Sequence, residues 1–436
     1  MNMLYLAIVL LTVYGDLLKR YLPGPIAVAS LYILALAILI WMIISNLEGR
    51  KIKSPLYFEE KQIINCIYSL IGVYAFELSI ASLNNAPLIA GLSTTIYVLL
   101  PLGYTVVIIK YYPQFNGIIL AQLYHLAMIP INIIGLIQFR IDPSFLINNS
   151  YVETGGIIYR NLLESGSFSR FPSIFVSADR YSAIGLIQLY LAFLLLLENK
   201  PESKYKIYWI LFNMLSGFTA LLISGARSRL LIAAILFILL GLTILTSFLS
   251  NGRFKIKYPF KGTSELFLFV ICISLIIGIT SPEKFSSLGQ EINSFPIVGF
   301  LQESLTNDGD VQSRVDQAIQ TSLIPEDVTL FGEGLGTLGE KPREFGISAI
   351  WIESGLFGGL AKLIAFAGII LTFGLLAIKS FIRQQPVYVV LFITPALVIG
   401  FGLLTGITGA LELSSGVLLC VCMGFIINFS RQNRLQ

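Results

Sequence analysis

The feature that most constrains this chain is a succession of apolar runs, most of them about 20 residues long, the length that crosses a hydrocarbon core. Polar connections separate them. Inside lipid no water is present to satisfy exposed backbone N–H and C=O groups, so a spanning segment must satisfy them itself, as a helix does. The expected fold is therefore all-α, a polytopic integral membrane protein. Composition points the same way. Apolar residues make up 56% of the chain and charged residues 12%, against about 45–50% and about 25% in ordinary soluble domains.

Twelve transmembrane helices are expected, over Leu4–Leu18, Pro25–Ile44, Ile64–Leu83, Leu88–Ile109, Gly117–Gln138, Tyr181–Leu197, Ile207–Ser224, Leu230–Leu249, Ser264–Thr280, Ile350–Ile378, Val387–Leu404 and Ile407–Ile427. They form a single membrane domain over 1–436. No basic region precedes the first run, so it reads as a retained helix rather than a cleaved signal. One alternate set of connections carries Arg50, Lys51, Lys53, Lys61, Lys110, Lys200, Lys204, Lys206, Arg253, Lys255, Lys257, Lys261, Lys379, Arg383, Arg431 and Arg434, sixteen cationic residues. The short loops of the other set carry four: Lys19, Arg20, Arg227 and Arg229. This bias places the first set, with both termini, in the cytoplasm. Two long loops, 139–180 and 281–346, are then external. Loops of that length are more than a connection needs and are usually functional.

The remaining composition excludes some chemistries. Cys66, Cys272, Cys420 and Cys422 all lie in apolar runs and read as small core residues, with neither a disulfide framework nor a zinc spacing. His125 is the single histidine, which removes any metal site built on several imidazoles. The net charge of +4 says little about partners, and no nucleic-acid partner is expected.

Chemistry concentrates on the external side. The first long loop ends in Ser169-Arg170-Phe-Pro-Ser-Ile-Phe and continues through Asp179-Arg180. A short external loop holds Ser224-Gly-Ala-Arg227-Ser-Arg229. The second long loop holds Asp308-Gly-Asp310-Val-Gln-Ser-Arg314-Val-Asp316, then Leu330-Phe-Gly332-Glu-Gly334-Leu-Gly336. Arginine at membrane depth is costly unless it pairs or lines a wet cavity, and guanidinium binds phosphate in a bidentate fork. Arg170, Arg227, Arg229 and Arg314 thus suggest an anionic ligand whose phosphates sit at headgroup level. A polyprenyl diphosphate bearing a glycan has that form. The blander reading makes each arginine an interfacial anchor, a headgroup contact or, for Arg314, a local partner of Asp310 or Asp316; for Arg180 the anchor reading is the strongest. Gly332, Gly334 and Gly336 allow a tight turn near a ligand. Among intramembrane carboxylates, Glu353 stands out in Trp351-Ile-Glu353-Ser-Gly355-Leu-Phe-Gly358, read as opening a helix after the large loop. Glu77 and Glu412 read as structural partners of hydroxyls or backbone.

With these stretches in view, the chain resembles the O-antigen polymerase and ligase superfamily, known as Wzy and WaaL. The similar segments are Arg170-Phe-Pro-Ser-Ile-Phe, Ser224-Gly-Ala-Arg227-Ser, Arg314 followed by Leu330–Gly336, and Glu353–Gly358, in the family's order, over roughly residues 120–430. The resemblance implies that Arg227 and Arg314 bind the donor diphosphate. It matches Arg170 to the basic residue before the sixth span and Glu353 to the acidic residue of the helix after the large loop. Ligases of this family carry a His-Asn pair ahead of that glutamate. Here the stretch is Glu344-Phe-Gly-Ile-Ser-Ala-Ile350, with no histidine, which favours a polymerase.

The implied reaction is glycosyl transfer without nucleotide sugars and without a cofactor or metal. A sugar hydroxyl of one lipid-linked unit attacks the anomeric carbon of another, and polyprenyl diphosphate leaves. Arginines stabilise the diphosphate charge, and a carboxylate among Glu353, Asp310, Asp308 and Glu344 takes the acceptor proton. The implied partners are the polyprenyl-diphosphate-linked oligosaccharide, membrane lipids and, optionally, a chain-length regulator. The rivals are a ligase that moves finished glycan to another acceptor, and a transporter or flippase of an anionic lipid or solute.

Overall fold

The computed structural model describes residues 2–15, 17, 24–47, 56–84, 86–112, 115–141, 163–165, 168–170, 173–175, 178–197, 204–224, 227–251, 329–335, 346–405, 411 and 413–435. The chain is a membrane-type helical protein. Its described helices are α1 (Asn2–Val9, continued by a π-helical turn over Leu10–Tyr14), α2 (Gly24–Leu47), α3 (Phe58–Leu83), α4 (Leu88–Tyr111), α5 (Gly117–Arg140), α6 (Ala178–Leu195), α7 (Lys204–Ser224), α8 (Arg227–Asn251), α9 (Gly346–Ile382), α10 (Pro386–Thr405) and α11 (Leu413–Leu435).

Five of the expected spans are helices long and apolar enough to cross a membrane: Phe58–Leu83, Leu88–Tyr111, Gly117–Arg140, Ile350–Ile382 and Pro386–Leu403. Six more coincide with apolar helices of 10–17 residues, among them Arg180–Leu195 and Ser415–Arg431. The expected ninth span, Ser264–Thr280, and most of both long loops lie outside the described residues. One feature the periodicity did not suggest is a short antiparallel ladder in the first long loop, β1 (Leu163–Ser165) with β2 (Phe168–Arg170), in register Leu163 to Arg170.

Contacts divide the chain into two compact units, Met1–Ser30, Ile118–Asp310 and Leu376–Thr394 in one, and Leu31–Gly117, Val311–Leu375 and Pro395–Gln436 in the other. In the first unit α6 packs along α7, and both touch α8. From Tyr181 to its end at Leu195, α6 is buried at every residue, so it is a central helix of its unit. Gly185 and Gly217 bring α6 and α7 together. A methyl group on Gly185 would stand 2.9 Å from the Ala220 Cβ, the close approach that small residues give to membrane helices. Polar side chains join α5 to both of these helices. The Asn132 amide donates to Gln188 (2.9 Å) and Ser216 (2.6 Å), and the Tyr181 hydroxyl donates to the Asn132 carbonyl oxygen (3.1 Å). In lipid such groups have no water to fall back on, so pairing holds them inside.

In the second unit α4 lies between α3 and α11, packing along both. Thr105 donates to the Cys420 carbonyl (2.9 Å) and Asn428 to the Ile108 carbonyl (2.8 Å), riveting α4 to α11. At the start of α3 the Glu60 carboxylate accepts the Tyr57 backbone N–H (3.0 Å) and lies 3.7 Å from the Arg431 guanidinium. The start of α3 and the end of α11 therefore share one end of this unit. Several boundaries differ from expectation, among them the start of α3, at Phe58 rather than Ile64. α11 extends to Leu435 rather than ending near Ile427, because Arg431 finds an acidic partner at the helix end. The span expected over Ile350–Ile378 is a longer helix interrupted at Gly355, where φ is 63° and ψ is −169°.

Candidate functional site

The interruption in α9 organises the second unit. An α-helix bonds each N–H to the carbonyl four residues earlier. Breaking the ladder at Gly355 therefore frees carbonyls before it and N–H groups after it. The segment 329–335 takes up both. The Ile352 and Glu353 carbonyls accept from the Glu333 and Gly334 N–H groups, each at 3.0 Å, and the Leu356 and Phe357 N–H groups donate to the Thr329 and Leu330 carbonyls, each at 3.1 Å. Two stretches some 20 residues apart in sequence thus form one hydrogen-bonded element.

Glycine is required at both sides of this junction. Gly332 and Gly334 have φ of 74° and 100°, a region closed to most L-residues. A Cβ on Gly332 would run into the Glu353 carbonyl oxygen, and one on Gly334 into the Ala81 backbone of α3. The expectation was a tight turn near a ligand. The close approach found here is to α9 and α3, because those helices come within backbone contact of the loop. Asn84, just past the end of α3, donates to the Glu333 carbonyl (3.1 Å), and Leu335 is fully buried against Gly91 of α4. Gly336 lies outside the described residues.

Glu353 sits two residues before the break, at 4% exposure. It closes the first segment of α9 rather than opening a helix, since that segment already begins at Gly346. Next to it, Ser354 accepts a hydrogen bond from the Lys362 ammonium (2.8 Å). Lys362 also pairs with the Glu77 carboxylate of α3 at 2.5 Å, with side chains 4% and 0% exposed, and stands 4.2 Å from the centre of the Tyr74 ring. Glu77 was expected to partner hydroxyls or backbone; its partner is a lysine. Lys362 was missed, and the signal that finds it is a basic residue inside an apolar run opposite an acidic one in another. Gly358 leaves room for the pair: a methyl group there would come 2.8 Å from a Glu77 oxygen.

The arginines divide differently. Arg229, half-buried near the start of α8, donates to Ser182 of α6 (2.8 Å). Arg227 is the first residue of α8 and Arg170 the last of β2, paired through its backbone with Leu163. Their side chains, together with the whole of Asp308, Asp310, Arg314, Glu344 and Glu412, lie outside the described residues. Ahead of α6, Ser173 is held at a φ of 54° by Gln138, which accepts its N–H (2.8 Å) and donates to its carbonyl (2.9 Å). That clamp fixes Ser173 to α5. Among the described residues no group of three or more His, Cys, Asp or Glu is placed to hold a metal ion.

Compared with known proteins, the chain matches no family model, and no curated protein matches it. Its functional reading therefore rests on its own residues.

Proposed function

We propose that this chain is a membrane glycosyltransferase of the O-antigen or exopolysaccharide polymerase type. It joins polyprenyl-diphosphate-linked repeat units on the outer side of the bacterial inner membrane, with twelve spans and both termini in the cytoplasm. The observation that carries the reading is the union of two motif stretches, Leu330–Gly334 and Glu353–Phe357, into one element built around a carboxylate. Arg227 and Arg314, with Arg170 and Arg229, hold the donor diphosphate. The acceptor hydroxyl attacks the donor anomeric carbon as the bond from that carbon to the diphosphate oxygen breaks. The guanidinium groups stabilise the charge that the leaving diphosphate gains. Glu353, almost wholly buried, acts by shaping the loop; Asp310 then takes the acceptor proton.

The arginines test this. Arg227→Ala and Arg314→Ala abolish polymer at near-normal protein level, and Arg→Lys is poorly tolerated, because a point charge does not replace a bidentate fork. Arg180→Ala has the milder effect of an interfacial anchor. Full-length polymer from Arg227→Ala or Arg314→Ala strains contradicts diphosphate binding there.

A second reading has one observation in its favour. An interrupted membrane helix beside an intramembrane ion pair also suits a transporter of an anionic lipid or solute. Proteoliposomes separate the two. A polymerase lengthens a lipid-linked glycan supplied on one leaflet, whereas a transporter moves it across unchanged.

A further inference from the structure

We propose that Glu77 and Lys362 are a positioning pair that locks the interruption in α9 and with it the loop that carries Gly332 and Gly334. The inference deepens the polymerase reading and takes only its activity readout from it.

One ammonium meets three structural pieces. Glu77 and Tyr74 come from α3, Ser354 from the segment of α9 before the break, and Lys362 from the segment after it. Tyr74 and Glu77 are three residues apart, so they share a face of α3. Side chains on a helix tilt toward its N-terminus, so a lysine seven residues past Gly355 reaches back toward the break. Its three N–H donors are matched by the Glu77 carboxylate, the Ser354 hydroxyl and the Tyr74 ring. The glycines of the second segment permit the approach. A methyl group on Gly358 would stand 2.8 Å from Glu77 Oε1, and one on Gly359 2.7 Å from the Trp351 ring.

Apolar residues would fill this volume at no desolvation cost, whereas a buried ion pair is stringent about geometry and fails when either member is removed. That stringency suits a joint. Without the pair, the junction keeps its backbone hydrogen bonds, the Asn84–Glu333 bond and the Phe331–Phe357 stack, but loses the ion pair that ties the second segment of α9 to α3. With it, the angle between the two segments of α9 is tied to α3, the helix against which Gly334 also packs.

The test uses Leu335→Cys, in a chain whose four natural cysteines are changed to alanine, because Leu335 is fully buried when the loop is seated. Purified protein in detergent is treated with a maleimide, and polymer is measured in the matching strains. Glu77→Gln and Lys362→Met each raise the labelling rate on the order of tenfold and cut long-chain polymer by a similar factor, since each leaves a buried group unpaired. The Glu77→Gln/Lys362→Met double variant, which removes both charges, returns labelling and polymer most of the way to the parent. If a single variant does not accumulate, recovery of folded protein in the double variant is the supporting result. Parent-like labelling in both single variants overturns the proposal, as does a double variant no better than either. Altered labelling with unchanged polymer overturns the link to activity. A parent chain that makes no polymer sinks the polymerase reading, while the labelling arm still decides the pair.

Discussion

Gly332, Gly334 and Gly355 show how single residues fix this architecture. Each holds a positive φ, at 74°, 100° and 63°, and each faces backbone where a Cβ would stand. Gly355→Ala places a side chain against Phe331 and Thr329 of the loop and forces a left-handed conformation, which costs about 1–3 kcal/mol for the backbone alone. Its thermal unfolding midpoint in detergent should fall clearly. Gly72 is the contrast: an exposed glycine inside α3 with nothing within 4 Å of an added Cβ. Gly72→Ala should leave the midpoint unchanged or raise it, since alanine is favoured over glycine by up to about 1 kcal/mol in a helix. Equal losses in both variants would mean the loop junction is not a special constraint. Carboxylates give a second residue-scale prediction. Asp310→Asn should lower the turnover of polymer formation more than Glu353→Gln does, because Glu353 is buried beside the loop. The reverse order, measured on purified protein with lipid-linked substrate, would make Glu353 the proton acceptor.

At the scale of elements, hydropathy made the helices legible, because a membrane-crossing helix announces itself by length and apolarity alone. The break in α9 was not legible. Apart from Glu353 and Ser354, the residues around Gly355 belong to an apolar run that continues well past it, and a glycine in such a run is compatible with a plain helix. What breaks the ladder is the loop 329–335, more than twenty positions earlier, and no local pattern reports that meeting. Lys362 was visible as a charge in an apolar run, but its meaning depended on Glu77, nearly 300 residues away. The same holds for the Asn132–Gln188–Ser216 links, whose members are single polar residues in three separate helices. The end of α11 was misjudged for a related reason. Arg431 looked like the start of a polar tail, and its partner, Glu60, lies at the other end of the sequence. The glycine motif was found, and its closest neighbours turned out to be protein backbone.

For the whole molecule, the alternating Lys and Arg count makes a topological claim that can be checked independently of chemistry. Within the second unit, the Glu60–Arg431 contact gathers two cationic connections at one end, and the 329–335 loop meets Asn84 and Gly91 at the connection between α3 and α4. Reporter fusions at Asn149 and Asp308 should give external signals, and cytoplasmic signals from either would overturn the assignment of sides. The central claim is that the chain lengthens a glycan on its lipid carrier, and the size of the carrier-linked glycan in a deletion strain tests it most directly. Mild acid releases the glycan, and a gel separates it by length. Single repeat units on the carrier, with no long chains, are the expected result. Long chains still attached to the carrier, with none on the final acceptor, would contradict it and make the protein a ligase.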